Sequence, residues 1–318
     1  MTDVSTSVLA TSSLHSSKVI VPVLGAGDWI GEGDTYLVED VLPPELADVA
    51  FENLRKEVAW NVMHHRGGEV PRLVAVEGEI DADGNYPVYR HPTDESPSLH
   101  PFSPTVSQIR AHVERALQHP VNHVLIQLYR TGADYISEHS DKTIDVVRGS
   151  RIVNLSLGAR RTMTLKTKKD SLHDGDGPQR RTQRVPLPHN SLFVMGLQTN
   201  ARWMHSVHTD KRPEGTKDPA ERGARISLTF RRIGTFLTPA QRIYGQGATE
   251  KTRAEARPVV HGGAEAERLL AAFGAENHQS EFDWDEVYGE GFDVLHFAAH
   301  AAPGEPAEDG GEVVSAQT

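Results

Sequence analysis

The sequence predicts an α+β protein built on an antiparallel barrel or double-sheet jelly roll. Three observations carry that expectation. From His123 to Arg232 the chain is a run of short apolar or alternating segments separated by turn residues. Two amphipathic helical stretches precede the run and can cover one of its sheets. The 318 residues hold enough apolar side chains for one large core with extensions, or for two small domains.

Taken in order, residues 1–17 form a Ser/Thr-rich stretch expected to be disordered. Gly25-Ala26-Gly27-Asp28-Trp29-Ile30-Gly31 resembles a dinucleotide loop only in part, with Ile30 at the third glycine position, and reads as a plain loop. Thr35 to Asp40 suits a short strand. Pro43-Pro44 opens a helix with Leu46, Val49, Ala50 and Leu54 on one face, ending near Trp60. Val70 to Glu79 alternates as a strand does. An irregular stretch with Tyr86, Tyr89 and His100 runs on to Pro104, long enough to be a binding lid. Val106, Ile109, Val113 and Leu117 mark the second helix. The strand run follows as Val124–Arg130, Ile152–Leu157, Thr162–Thr167, Val185–Leu187, Ser191–Met195, Trp203–His208 and Arg225–Arg232. Beyond Phe236 a helix is expected over Glu265–Phe273. Phe282, Trp284, Phe292 and Leu295 are expected to pack back on the core, and the chain from about Ala301 to be disordered.

Composition narrows the function. The absence of cysteine excludes disulfides, Cys-ligated zinc and iron–sulfur clusters. No apolar run reaches the length of a membrane span, and the start lacks the pattern of a signal peptide. The reading is an intracellular, soluble protein, nuclear or cytoplasmic, with no membrane partner. The formal charge of −11 is uneven. From Phe236 onward 5 Lys and Arg stand against 15 Asp and Glu; from Arg148 to Arg184 there are 10 against 3. That basic segment suits either phosphate contacts or a solvated loop.

Two stretches carry chemistry. His139-Ser140-Asp141, read on a strand, puts an imidazole and a carboxylate on one face. With His205 as a third ligand from a distant strand, they form the two-His, one-carboxylate facial set of non-haem Fe(II) oxygenases. In Arg225-Ile226-Ser227-Leu228-Thr229-Phe230-Arg231, one face carries Arg225, Ser227, Thr229 and Arg231, while Ile226, Leu228 and Phe230 face the core. Two guanidinium groups inside a barrel need anions, and a dicarboxylate would answer both. A buried network with Asp or Glu side chains would answer them equally. Gln127 and Tyr129 share the face of another strand and could donate to the same ligand.

The order of these motifs resembles the Fe(II)/2-oxoglutarate dioxygenases of the AlkB type. Pro71-Arg72-Leu73, Leu128-Tyr129-Arg130, His139-Ser140-Asp141, Leu155-Ser156-Leu157-Gly158-Ala159, Arg161-Thr162, Trp203-Met204-His205 and Arg225 to Arg231 follow in family order, over roughly Tyr36 to Ile233. The resemblance implies a double-stranded β-helix (jelly-roll) core with flanking N-terminal helices and a C-terminal extension. Its expected division is a catalytic domain over 18–235, with the barrel from about 120, an extension over 236–300 packed on the core, and a tail over 301–318. It implies Fe(II), 2-oxoglutarate and dioxygen as cofactors, with His139, Asp141 and His205 on the iron. Arg225, Ser227 and Tyr129 would hold the distal carboxylate of 2-oxoglutarate, and Arg231 would lie near its other end. Gln127 stands where the family's nucleic-acid demethylases usually carry Asn. His208 does not match a ligand position.

The resemblance further implies hydroxylation of a substrate C–H bond. The first substrate reading is demethylation of N-alkylated bases in single-stranded or damaged nucleic acid, as in DNA or RNA repair. The second is oxidation of a small molecule or a protein. Glu77 stands where a stacking aromatic is expected, and Lys142 follows Asp141 where an acidic residue is usual. Tyr86, Tyr89, Arg72 and the basic residues Arg160, Arg161 and Lys166 are the remaining candidates for a nucleic-acid contact.

Overall fold

Alternation along Arg225–Arg231 sets the layers. This strand lies at the centre of a sheet ordered Tyr36–Val38, Ser191–Met195, Ile152–Gly158, Arg225–Arg231, His123–Tyr129, Gly68–Gly78 and Asn61–His65, with Leu99–Pro101 added parallel to Gly68–Gly78. The computed structural model describes residues 24, 27–65, 68–92, 97–171 and 180–297. The expected disordered stretches 1–17 and 301–318 lie outside the described residues.

The even positions Ile226, Leu228 and Phe230 point to one side of the large sheet. There they meet helix α1 (Pro44–Glu57) and helix α2 (Pro104–Leu117) in one apolar cluster. Both helices start on a proline whose fixed φ suits the first helical position. Helix α1 buries Leu46, Ala47, Ala50, Phe51 and Leu54, so its apolar stripe runs through Phe51, and Val49 is exposed. It stops at Glu57, short of Trp60, where the backbone turns extended at Val58, and the Glu57 carboxylate ties this end to the second helix. It accepts hydrogen bonds from Thr105 N (2.9 Å) and Thr105 Oγ1 (2.8 Å) at the start of α2.

The other side of the large sheet faces a four-stranded sheet ordered Thr182–Leu187, Arg161–Thr167, Trp203–Val207 and Ile136–His139. Tyr129, Ile152, Phe193 and Met195 of one sheet pack with Met163, Leu165, Val185 and Trp203 of the other. Every pairing in these two sheets is antiparallel apart from Leu99–Pro101. The strand Asn61–His65 was not expected, since it shows no clean apolar alternation; the strand expected through His139-Ser140-Asp141 runs instead over Ile136–His139 and stops at His139.

The chain beyond Thr235 builds two small sheets and more helix. Thr235–Leu237 pairs with Tyr86–Pro87 and with Arg242–Gly245, so the irregular stretch before α2 is anchored from the C-terminal side. After the short helix α3 (Leu197–Arg202) come α4 (Gly263–His278) and α5 (Trp284–Tyr288). Helix α4 runs past the expected end at Phe273. Leu269, Phe273, Tyr288, Phe292 and Val294 form an apolar cluster that also takes Ile144, with Phe282 and Trp284 packed on its edge. Leu295 joins a separate small cluster around Val88 and Leu237.

One buried ion pair ties these parts together. Arg90 and Asp145 meet at 2.7 Å with both side chains essentially inaccessible to water. The guanidinium also donates to the carbonyls of Gly247, Phe292 and Val294 at 2.7, 2.6 and 3.1 Å. Removing one partner of such a pair strands the other, at a cost of about 3–5 kcal/mol. Asp145→Ala should therefore lower the unfolding free energy by about that amount in urea denaturation. A loss under about 1 kcal/mol would show that Arg90 finds full compensation in the three carbonyls.

Candidate active site

The cavity between the two sheets has a volume of about 820 Å³ and is lined by both, by the Tyr86–His91 stretch and by α4. Strand register brings the first residues together. His139 ends the strand Ile136–His139 and lies directly opposite His205 on Trp203–Val207. Their rings are 4.3 Å apart. Asp141 is not on that strand. It lies in the loop just beyond, so His139 and Asp141 converge by a turn of the chain and not by sharing a strand face.

The convergence is close. Asp141 Oδ1 lies 3.8 Å from Nε2 of His139 and 3.8 Å from Nε2 of His205. One ligand atom from each of the three residues falls within 4.8 Å of the others. His139 Nδ1 donates to the Ser137 carbonyl at 2.7 Å, which leaves its Nε2 lone pair free to bind a metal. Burial pushes the His205 pKa down to about 3, with the neighbouring His139 adding to the shift, so its imidazole is neutral at working pH. Burial pushes the Asp141 carboxyl up, but Arg231 and the two imidazoles outweigh it and hold it well below the usual carboxylate range. Two neutral imidazoles and an ionised carboxylate on one side of a cavity could hold a divalent iron.

Arg231 is where the alternative reading of the arginines applies. Its Nη2 and Nε bond Asp141 Oδ2 at 2.7 and 3.2 Å, leaving Oδ1 for the imidazole side. Its Nη1 is buried without a hydrogen-bond partner. Tyr89 stacks over the guanidinium at 4.0 Å.

Arg225 differs. It is 1 % exposed, and no carboxylate among the described residues lies in ion-pair range. Its Nη2 donates to Asn154 Oδ1 (2.8 Å) and Ser156 Oγ (2.7 Å), while Nε and Nη1 are buried without partners. Burial lowers its pKa to about 10, still charged at working pH. Register sets Tyr129 opposite Arg225 and Gln127 opposite Ser227. Tyr129 Oη donates to Gln127 Oε1 at 3.4 Å, and the Arg225 guanidinium lies 5.2 Å from the Tyr129 ring centre. An ordered, buried cation with unused N–H groups could receive one carboxylate of a small dianion.

The residues present therefore fit both a facial iron and a dicarboxylate beside it, and the sequence places the chain accordingly. The family model for the 2OG-Fe(II) oxygenase superfamily matches residues 34–231. The chain belongs to that superfamily. It is an AlkB-like dioxygenase using Fe(II), 2-oxoglutarate and dioxygen. It is 34 % identical over 196 residues to the human DNA oxidative demethylase ALKBH2, covering 59 % of this chain and 69 % of that protein. It is 30 % identical over 191 residues to the bovine alpha-ketoglutarate-dependent dioxygenase alkB homolog 3, covering 59 % of this chain and 62 % of the relative. Within the dioxygenase, α4, α5 and their flanking strands lie beyond the matched span.

The remaining candidates divide. Arg72, Tyr86, Tyr89 and Lys142 line the cavity. Glu77 does not. It is buried, and its carboxylate accepts from Ser103 N (2.8 Å) and Ser103 Oγ (3.1 Å) at the start of α2. A strand residue next in line to cavity-facing Val76 must point the other way. Arg161 is also absent from the cavity. Its guanidinium donates to the carbonyls of Asp134 (2.8 Å), His208 (2.5 Å) and Thr131 (3.3 Å), so it braces loops and is not displayed for phosphate. Lys166 lies 3.6 Å from Glu138. Tyr89 is committed twice, to Arg231 through its ring and to Lys142 N through its hydroxyl (3.1 Å).

Asn154, Asn200 and Asn277 were not singled out from sequence. Asn154 shares the cavity face with Ser156 by period-two spacing, a usable signal. Asn277 sits on a helix far from the motifs, and Asn200, three residues before Trp203, lies on a short helix with no polar periodicity; neither carries a signal.

Because Asp141 serves both a metal and Arg231, Asp141→Ala should have two effects. Isothermal titration with Mn(II) should show no binding. Urea denaturation of the metal-free protein should show a loss of about 3–5 kcal/mol, as Arg231 is left buried and unpaired. Retained Mn(II) binding would contradict the ligand set, and unchanged stability would contradict the pairing.

Proposed function

We propose that this dioxygenase is an oxidative demethylase of N-alkylated nucleic-acid bases, working from a double-stranded β-helix catalytic unit over 18–235 with the segment 236–300 docked on it. The observation that carries the cosubstrate half is Arg225, a buried guanidinium with unsatisfied Nε and Nη1 that lines the same cavity as the His139, Asp141 and His205 cluster. The substrate half rests on the 34 % identity to a protein named as a DNA oxidative demethylase. The cavity volume also suits an extruded base.

In this reading His139, Asp141 and His205 hold Fe(II). Arg225, ordered by Asn154 and Ser156, takes the distal carboxylate of 2-oxoglutarate together with Tyr129 and Ser227. Arg231 holds Asp141 in place and offers its unused Nη1 to the other end of the cosubstrate. The bound iron and 2-oxoglutarate supply oxidation of a substrate C–H bond by dioxygen. On an N-methyl group the hydroxymethyl product breaks down to formaldehyde and the free amine. The protein's own part is to bind, orient and exclude water. Of Tyr86 and Tyr89, Tyr86 is the ring free to stack on a base, since Tyr89 is committed to Arg231 and Lys142.

One observation favours a small-molecule substrate instead. Lys142 lines the cavity, where an ammonium repels a cationic alkylated base. Burial lowers its pKa, while Glu276 and Asp141 act against that shift.

Arg225→Ala should weaken 2-oxoglutarate binding by about ten- to a hundredfold, the worth of about 1.5–3 kcal/mol for a charge-assisted hydrogen bond. Fluorescence or calorimetric titration of the Mn(II)-loaded protein checks it; unchanged affinity would remove Arg225 from the cosubstrate site. Substrate class is decided by succinate and formaldehyde release over N-methylated single- and double-stranded oligonucleotides and a panel of metabolites. Turnover on an oligonucleotide that falls steeply with salt and drops in Tyr86→Ala, where a lost stack is worth about 1–3 kcal/mol, supports the nucleic-acid reading. Turnover confined to small molecules would replace it.

A further inference from the structure

The loop that carries Asp141 has left its strand, yet its backbone N–H groups are all held. Four successive N–H groups, those of residues 140 to 143, each meet a side chain from outside the loop. Ser140 N donates to Asn277 Oδ1 at 3.1 Å, Asp141 N to Asn200 Oδ1 at 2.9 Å, Lys142 N to Tyr89 Oη at 3.1 Å and Thr143 N to Glu276 Oε1 at 2.9 Å. Side-chain acceptors replace the ladder that a strand would have provided.

Two of the four acceptors are neighbours on α4, beyond the span matched by the family model. Asn277 Oδ1 also receives Ser140 Oγ and Lys142 Nζ, each at 3.3 Å, so it gathers donors from both sides of Asp141. Glu276 also accepts from the Thr143 hydroxyl, and its second oxygen accepts from Tyr288 Oη at 2.8 Å. The buried Lys168 donates to the carbonyls of Glu276 (2.6 Å) and Gln279 (3.2 Å), fixing the end of α4. Ile144, one residue past the held stretch, is fully buried among Leu269, Phe273 and Tyr288. Helix α4 thus grips this loop through two polar side chains and one apolar anchor.

We propose that α4 is a positioning element of the metal centre, with Asn277 and Glu276 as positioning residues that set the loop so that Asp141 Oδ1 meets the two imidazoles. This rests on the reading of His139, Asp141 and His205 as the metal ligands. Groups that orient metal ligands from behind typically change metal affinity about 10- to 100-fold when removed. Asn277→Leu keeps the size of the side chain and removes the acceptor; Asn277→Asp keeps the acceptor.

The test uses the full chain without metal. Mn(II) is titrated calorimetrically into wild type and both variants, and the visible spectrum of the Co(II)-loaded proteins is compared. Asn277→Leu should bind Mn(II) about 10- to 100-fold more weakly and show altered Co(II) bands, while Asn277→Asp stays near wild type. Equal affinity and spectrum in wild type and Asn277→Leu would overturn the proposal, as would an equal loss in both variants. Hydrogen exchange on the wild-type protein decides independently of whether a variant folds. The amides of residues 140–143 should be protected in the metal-free state to the level of the Arg225–Arg231 strand, and rapid exchange there would overturn the clamp. Failure of wild type to bind Mn(II) would instead defeat the ligand reading, and the exchange result would still stand for or against the clamp.

Discussion

A single carboxylate divided between two jobs governs this structure. Asp141 gives Oδ2 to Arg231 and presents Oδ1 to His139 and His205. The division solves two desolvation problems at once. A buried guanidinium obtains its counter-charge, and a buried carboxylate is kept ionised without any metal. Arg231 can do this because it lies three alternations along its strand from Arg225, on the same cavity face. The site is therefore organised electrostatically before any ligand arrives, which lowers the reorganisation needed to bind one.

The two arginines of that strand illustrate how partner chemistry sorts function from support. Both are buried and both are charged. Arg231 has a carboxylate; Arg225 has only the neutral oxygens of Asn154 and Ser156. Neutral acceptors can orient a guanidinium but cannot offset its charge. The unmatched charge and unused N–H groups on Arg225 point to an anion from outside the chain. Arg161, less deeply buried, donates to three carbonyls and leaves no buried N–H group without a partner.

Much of this was legible in the sequence because it depends on period and spacing. The central strands, both N-terminal helices and the Arg225 to Arg231 face follow from alternation, and the cluster of His139, Asp141 and His205 from motif order alone. What was not legible depends on which polar group a side chain meets. Glu77 was placed by motif position, but its strand parity turns it to the start of α2. Arg161 lies in a basic segment, yet its bonds are to backbone carbonyls of distant loops. The grip of Asn277 and Glu276 on the 140–143 loop spans more than a hundred residues and leaves no local pattern. Val49 shows the limit even for helices, since a stripe can rotate by one residue when a larger neighbour such as Phe51 takes the core.

The distance along the chain between Ser140 and Asn277 is 137 residues. During synthesis at about 5–20 residues per second, the acceptors on α4 reach the loop only roughly 7 to 27 seconds after the loop itself is made. Only in the last third of that interval, once Arg231 has been made, can the central strands pair and the imidazoles of His139 and His205 face each other, and two of the loop's four amides then still lack their α4 acceptors. The order of manufacture thus makes the Asp141 loop one of the last parts of the chain to set, and ties its completion to a segment outside the span matched by the family model.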